Sequence, residues 1–150
     1  MTPEGKIKAK VNAVIKVFGT AIWRFMPVQT GYGSPALDYI LCVNGTFVSI
    51  ETKADRTKKL TPLQEGTRVF IEAAGGLVFV VYDMRTLWIA TRCLMQLIYG
   101  NTHAIELVRR WYADAPYLQT QDEGTCSELV RKFLAGETPH APTGGPVGTP

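Results

Sequence analysis

Asn44-Gly45 lies between two apolar runs, and this dipeptide constrains the fold more tightly than any other feature of the chain. A two-residue type I′ turn needs positive φ at both central positions, which Asn and Gly supply most readily. Centred there, the turn sets Val43 opposite Thr46, and every other residue opposite the one equally far along the second arm. Asp38 then faces Glu51. Lys53 projects from the same face as Glu51, because strand side chains alternate with period two. One face of the hairpin carries Leu37, Tyr39, Leu41 and Val43 against Thr46, Val48, Ile50 and Thr52, and is apolar enough to be the core face. The other carries Asp38, Ile40 and Cys42 against Phe47, Ser49, Glu51 and Lys53. Its apolar members predict a face covered at the turn end and charged only at the far end.

Two carboxylates facing each other across a ladder have Cβ atoms roughly 4.5–5.5 Å apart, and like charges so placed destabilise a sheet. A divalent cation is one compensation, since Mg²⁺ takes oxygen ligands, commonly one or two carboxylates with phosphate and water. The Lys53 ammonium is another. Burial at the edge of a covered face makes uncompensated acids more costly and favours an ion. A solvated acid pair with Lys53 as an ordinary partner stays open on the residues alone.

At 150 residues the chain has room for one domain with a substantial core. Its 46% hydrophobic and 19% charged residues are those of a globular protein. A net charge of +3 permits a nucleic-acid partner without demanding one. Cys42, Cys93 and Cys126 are odd in number and widely spaced, which argues against a disulfide framework or a zinc ribbon. His103 and His140 have no Cys or His at ligand spacing. No basic-then-apolar leader and no apolar run of about 18 residues is present, so no membrane partner and an intracellular, cytoplasmic setting are expected.

Along the chain, Thr2 and Pro3 open a helix from about Pro3 to Phe18, with Ile7, Val11, Val14, Ile15 and Phe18 as its apolar stripe. Glu4 lies on that stripe one turn before Ile7; the attraction of a first-turn acid to the helix dipole is enough to account for it. Ala21–Val28 reads as a strand, followed by a Gly/Ser loop containing Tyr32 and then the hairpin strands Leu37–Val43 and Thr46–Lys53. Ala54–Leu60 is a basic connection with Arg56, Lys58 and Lys59. Thr61-Pro62-Leu63-Gln64 announces a second helix with a capping box, its apolar side formed by Leu63, Phe70, Ile71 and Ala74 and its end by Gly75-Gly76. Leu77–Tyr82 is a strand buried on both faces, placed to run parallel to Thr46–Lys53. Three helical segments follow: a stripe of Leu87, Ala90, Leu94, Leu97 and Ile98 closed by Gly100, then His103–Tyr112, then Ser127–Ala135. Arg109-Arg110-Trp111-Tyr112 reads as amphipathic packing. Residues 1–135 form one domain in this reading, and the Pro/Gly-rich stretch 136–150 a disordered tail. The fold class is α/β, a mixed sheet with helices on both faces.

Helix, three-strand meander, helix, strand, with Asp38 before the turn and Glu51-Thr52-Lys53 after it, resembles the restriction-endonuclease-like core of the PD-(D/E)xK nuclease superfamily. Leu60-Thr61-Pro62-Leu63-Gln64, followed by Ala73-Ala74-Gly75-Gly76-Leu77-Val78-Phe79-Val80-Val81, is similar to the virus-type replication–repair nuclease (VRR-NUC) family within it. The likeness spans roughly residues 2 to 83. It departs from the family pattern at Gly33-Ser34-Pro35-Ala36-Leu37-Asp38, where the family usually has Pro immediately before the acid.

The resemblance implies Asp38 and Glu51 as ligands of Mg²⁺ or Mn²⁺, with the Thr52 carbonyl as a further ligand and Glu4 acting through water. The ion would polarise a scissile phosphate and acidify a water. Lys53 would hold that water or stabilise charge developing on the phosphate; an ion pair with Glu51 is its plainer role. Gln64 matches the family's helix glutamine facing the site, while the capping box with Thr61 explains it equally. Arg56, Lys58 and Lys59 would touch DNA phosphates or simply be solvated, and Tyr32 would stack on substrate or pack. The activity implied is a DNA endonuclease selective for branched DNA such as junctions or flaps, in a phage or bacterial setting, with a homodimer as one arrangement. A non-catalytic DNA- or protein-binding module on the same sheet is the alternative, and an RNA-processing or nick-making nuclease of the same chemistry stays open.

Overall fold

The computed structural model describes residues 1–28, 35–100, 104–113 and 122–137. Tyr32, His103, His140 and the stretch from 138 onward lie outside them, as do the side chains of Trp111 and Tyr112. The hairpin forms as its turn dictates: Asn44 and Gly45 have φ of 48° and 80°. Strands β2 (Tyr39–Val43) and β3 (Thr46–Thr52) pair from Val43↔Thr46 to Tyr39↔Ile50, the predicted register. The ladder stops one step short of the acids, where the Asp38 amide turns to the Glu51 side chain. Strand β1 (Ile22–Phe25) pairs antiparallel with β2 and is shorter than the predicted Ala21–Val28: a 3₁₀ turn at Gly19–Ala21 takes its first residue, and its pairing ends at Phe25↔Ile40. Strand β4 (Leu77–Val81) runs parallel to β3, giving one mixed sheet in the order β1-β2-β3-β4.

Helix α1 (Pro3–Val17) begins as expected, with the Thr2 hydroxyl accepting the Gly5 amide and Pro3 in the first turn. It packs on the core face of the sheet together with α3 (Met84–Tyr99) and α5 (Glu123–Leu134), and α4 (Ala104–Ala113) joins through Ile105 and Val108. Tyr39, Leu41, Val43, Val48, Ile50, Phe79 and Val81 meet Val11, Val14, Leu87, Leu94 and Phe133 there, all essentially inaccessible. The last helix starts earlier than the predicted Ser127, because Asp122 accepts the Thr125 amide and overrides the weak helical preference of Gly124 and Thr125. No helix among the described residues is long and apolar enough to cross a membrane, and no disulfide joins Cys42, Cys93 or Cys126.

The second face departs from expectation in two ways. Helix α2 (Pro62–Ala73) packs over β4 and reaches the end of β3 through Gln64, and a helix about 10–12 Å wide covers about two strands spaced ~4.8 Å apart. The predicted cover at the turn end is therefore missing, and Cys42 and Phe47 are exposed. At the far end, Ser49 and Glu51 are buried instead. The predicted apolar side of α2 is also wrong: no residue of the helix is buried, and Leu63 and Phe70 are 64% and 78% exposed. Gln64 and Ile71, seven apart and so on one face, turn inward, which swings Leu63 and Phe70 about 100° out toward solvent.

The return from α2 into β4 depends on Gly75 and Gly76. Gly75 has φ of 94°, the left-handed conformation that ends a helix at least cost in Gly. A Cβ on Gly76 would lie 2.7 Å from Ile71 Cγ2 and 3.1 Å from Phe47 Cδ1. Gly76→Ala is expected to destabilise the fold by about 1–3 kcal/mol through overpacking, measured by urea denaturation. An unchanged midpoint would show that Ile71 yields freely.

Candidate active site

The two hairpin arms clasp each other through the acids themselves. The Asp38 amide donates to Glu51 Oε2 at 3.0 Å. In return Asp38 Oδ2 accepts the Thr52 amide at 2.9 Å and the Thr52 hydroxyl at 2.6 Å. Each carboxylate thus spends one oxygen holding the other arm. Asp38 Oδ1 faces Lys8 Nζ at 3.3 Å. Glu51 Oε1 accepts Gln64 Nε2 at 2.6 Å and faces Lys53 Nζ at 3.5 Å.

Gln64 ties the sheet to α2. Its Oε1 accepts both the Lys53 ammonium, at 2.9 Å, and the Thr61 backbone amide, at 3.0 Å, while the Gln64 backbone N–H donates to the Thr61 hydroxyl. The capping box and the turn toward the acids, alternatives in the sequence, hold simultaneously. Glu4 enters at one remove: its Oε1 meets Lys8 Nζ at 3.1 Å, so Lys8 stands between Glu4 and Asp38. The Tyr39 hydroxyl donates to the Lys8 carbonyl at 3.3 Å and pins this turn of α1 to β2.

Electrostatics follow from burial. Glu51 is 4% exposed, and burial first, then the nearby charge of Asp38, pushes its pKa above the ordinary glutamate value. The Asp38 amide and Lys53 pull the other way without prevailing. Tyr39 is pushed up to about 12, by burial and then by Asp38. Burial alone would lower the Lys8 ammonium, but Glu4 and Asp38 outweigh it and raise its pKa.

Of the residues singled out from sequence, Asp38, Glu51, Thr52, Lys53 and Gln64 form one bonded cluster, and Glu4 adjoins it through Lys8. Thr52 joins through its amide and hydroxyl. Arg56, Lys58 and Lys59 stand exposed in the connection after β3, which Asp55 shapes by accepting the Thr57 amide at 2.7 Å. Tyr32 lies outside the described residues. Arg109, read as packing, donates to the Gly75 carbonyl and Glu106. Lys8 was overlooked, although its position one turn after Glu4 is a helix ion-pair spacing that could have revealed it. Among the described residues no three His, Cys, Asp or Glu side chains gather to hold a metal. What Asp38 and Glu51 offer is oxygen alone, the donor type of a hard cation.

A solved structure described as "VRR_NUC domain" is similar to this chain. It matches over 55% of this chain and 86% of its own, at 23% identity and a TM-score of 0.45. No protein-family model matches the chain, and no curated protein matches it.

The raised pKa of Glu51 means that the folded state holds this proton more tightly than the unfolded chain does. The associated stability is fully present below the ordinary glutamate range and is lost as pH rises through the raised value. In metal-free buffer, the stability of wild type relative to Glu51→Gln should fall across that interval and level off above it, followed by urea denaturation at stepped pH. A difference that is flat with pH would show that Glu51 ionises as it does in water.

Proposed function

We propose that the protein is a divalent-cation-dependent nuclease that hydrolyses phosphodiester bonds in DNA, with Asp38 and Glu51 holding Mg²⁺ or Mn²⁺. The observation that carries this reading is a lysine ammonium fixed by Glu51 and Gln64 beside two like-charged carboxylates, Glu51 buried and Asp38 half-buried. The donor set fits the ion: two carboxylates, one already destabilised by the other's charge, match the few protein ligands that Mg²⁺ takes while keeping waters and phosphate oxygens. The Thr52 carbonyl is the further protein ligand implied by the resemblance, with Glu4 more distant behind Lys8. When bound, such a cation supplies Lewis-acid polarisation of a phosphate and a more acidic water.

The chain's own residues then have defined tasks. An ammonium has three N–H donors, and Gln64 and Glu51 engage two of those on Lys53, so the third is left to a phosphate oxygen or an attacking water. Charge developing on that oxygen meets a donor already in place, in a site half-hidden from water, where such contacts are strongest. Gln64 fixes the direction of Lys53, and the Asp38–Thr52 bonds fix that of Asp38. Arg56, Lys58 and Lys59 would meet flanking phosphates, and their exposure means that such contacts carry little desolvation cost. Selectivity for junctions or flaps, a contribution from Tyr32 and a homodimeric arrangement extend this reading through the family resemblance.

One observation favours the non-catalytic alternative. Each carboxylate oxygen of Asp38 and Glu51 already has a protein partner, as in a self-sufficient structural cluster. Two measurements separate the readings. Mg²⁺ should raise the melting temperature of wild type through linkage and leave that of Asp38→Asn unmoved. With labelled flap, junction and duplex DNA, wild type should cleave in Mg²⁺ and stop in EDTA. Lys53→Ala should cleave about 10²–10³-fold more slowly while binding DNA as before. Full activity in that variant would remove Lys53 from the mechanism, and Mg²⁺-independent behaviour throughout would favour the binding module.

A further inference from the structure

The half of the outer sheet face that α2 leaves bare carries aromatic rings. Trp23 and Phe25 project from β1 and are 61% and 49% exposed. Their ring centroids lie 6.2 Å apart with planes 10° from parallel. Trp23 is level with Cys42 and Phe47 across the sheet, and Phe25 with Ile40 and Ser49. Phe25, Ser49 and Glu51 therefore share one face. From a strand spacing of ~4.8 Å and a rise of ~3.3 Å per residue, Phe25 lies about 12 Å from Glu51.

The opposite side of the same edge strand is basic. Arg24 and Met26 alternate with the aromatics and, with Asn12 and Lys16 of α1, line an open groove of about 850 Å³. Among the described residues that line it, two are cations and none is a carboxylate. Arg24 is steadied by a neutral partner, Nη1 donating to Asn12 Oδ1 at 2.8 Å, so its charge is held in place without being neutralised by that bond.

We propose that this edge binds a single-stranded segment of the nucleic acid, unpaired bases stacking on Trp23 and Phe25 and phosphates following Lys16 and Arg24. An exposed pair of parallel rings with a cationic track along the same edge strand is the combination that holds single strands without reading sequence, since every base has a π-face. A paired base is already stacked inside its duplex and cannot offer that face. The platform shares its sheet face with Glu51, so a strand resting on it leads toward the acids. In that respect the inference rests on the nuclease reading and names the kind of substrate the site selects: DNA with an unpaired arm. An apolar protein partner would be matched to the rings but not to the Lys16 and Arg24 charges of the groove along the same strand.

The test uses the full chain in EDTA, with fluorescence anisotropy of labelled oligothymidine and of a blunt duplex. Trp23→Ala and Phe25→Ala should each weaken oligothymidine binding about five- to a hundredfold. Blunt duplex should lose less. Arg24→Ala should reduce the salt slope of oligothymidine binding by about 1. If Trp23→Ala does not fold, Phe25→Leu keeps apolar bulk without the ring and reads the same loss. Unchanged oligothymidine affinity in the ring variants overturns the platform. So does a loss of self-association on sedimentation with oligothymidine affinity intact, which would assign these rings to a second copy of the chain. Failure of the nuclease reading is separable: wild type that binds oligothymidine through Trp23 but cleaves nothing in Mg²⁺ refutes catalysis and upholds the platform.

Discussion

A single buried carboxylate organises this molecule. Glu51 lies at the end of β3, shut away from water, and accepts bonds from the amide of Asp38 and from Gln64, with Lys53 alongside. An isolated charge in that position would be prohibitive, and one with three donors around it is tolerable. The same donors bring together the start of β2, the end of β3 and the first turn of α2. Fold and site are therefore one construction, in which satisfying Glu51 places Asp38, Lys53 and Gln64.

The legible part of this arrangement came from local rules. Asn44-Gly45 fixed the hairpin register, and register fixed which side chains share a face, because a slip by one residue would have turned every apolar side chain outward. Thr61-Pro62 and Thr2-Pro3 marked helix starts through their caps. Where local chemistry decides, sequence suffices. Asp38, Glu51 and Lys53 could be gathered that way, by strand parity; the cap placed Gln64 at a helix start, and only the family resemblance turned it toward the acids.

What stayed hidden depends on which way an element turns once it is packed. The apolar residues of α2 promised a buried stripe, yet Gln64 and Ile71 face the sheet while Leu63 and Phe70 face solvent. Periodicity counts greasy positions and cannot weigh them against one polar side chain with three partners. Coverage of the second face failed for a similar reason: whether one helix shields two strands or four depends on widths, which no alternation pattern records. Lys8 escaped because its partner Asp38 is distant in sequence, and only the docking of α1 against Tyr39 brings them together.

Glutamine is nearly symmetric in outline, and at most positions its amide can be turned over at little cost. Gln64 has no such freedom. The Thr61 backbone and the Lys53 ammonium present only hydrogens, so the oxygen must point at them and the nitrogen at Glu51. The helix start thereby acts as a polarity key for the lysine, handing it an acceptor in one fixed sense. Glutamate, almost the same shape, would satisfy the two donors but leave Glu51 facing an anion, so the amide here is a requirement of handedness as much as of reach.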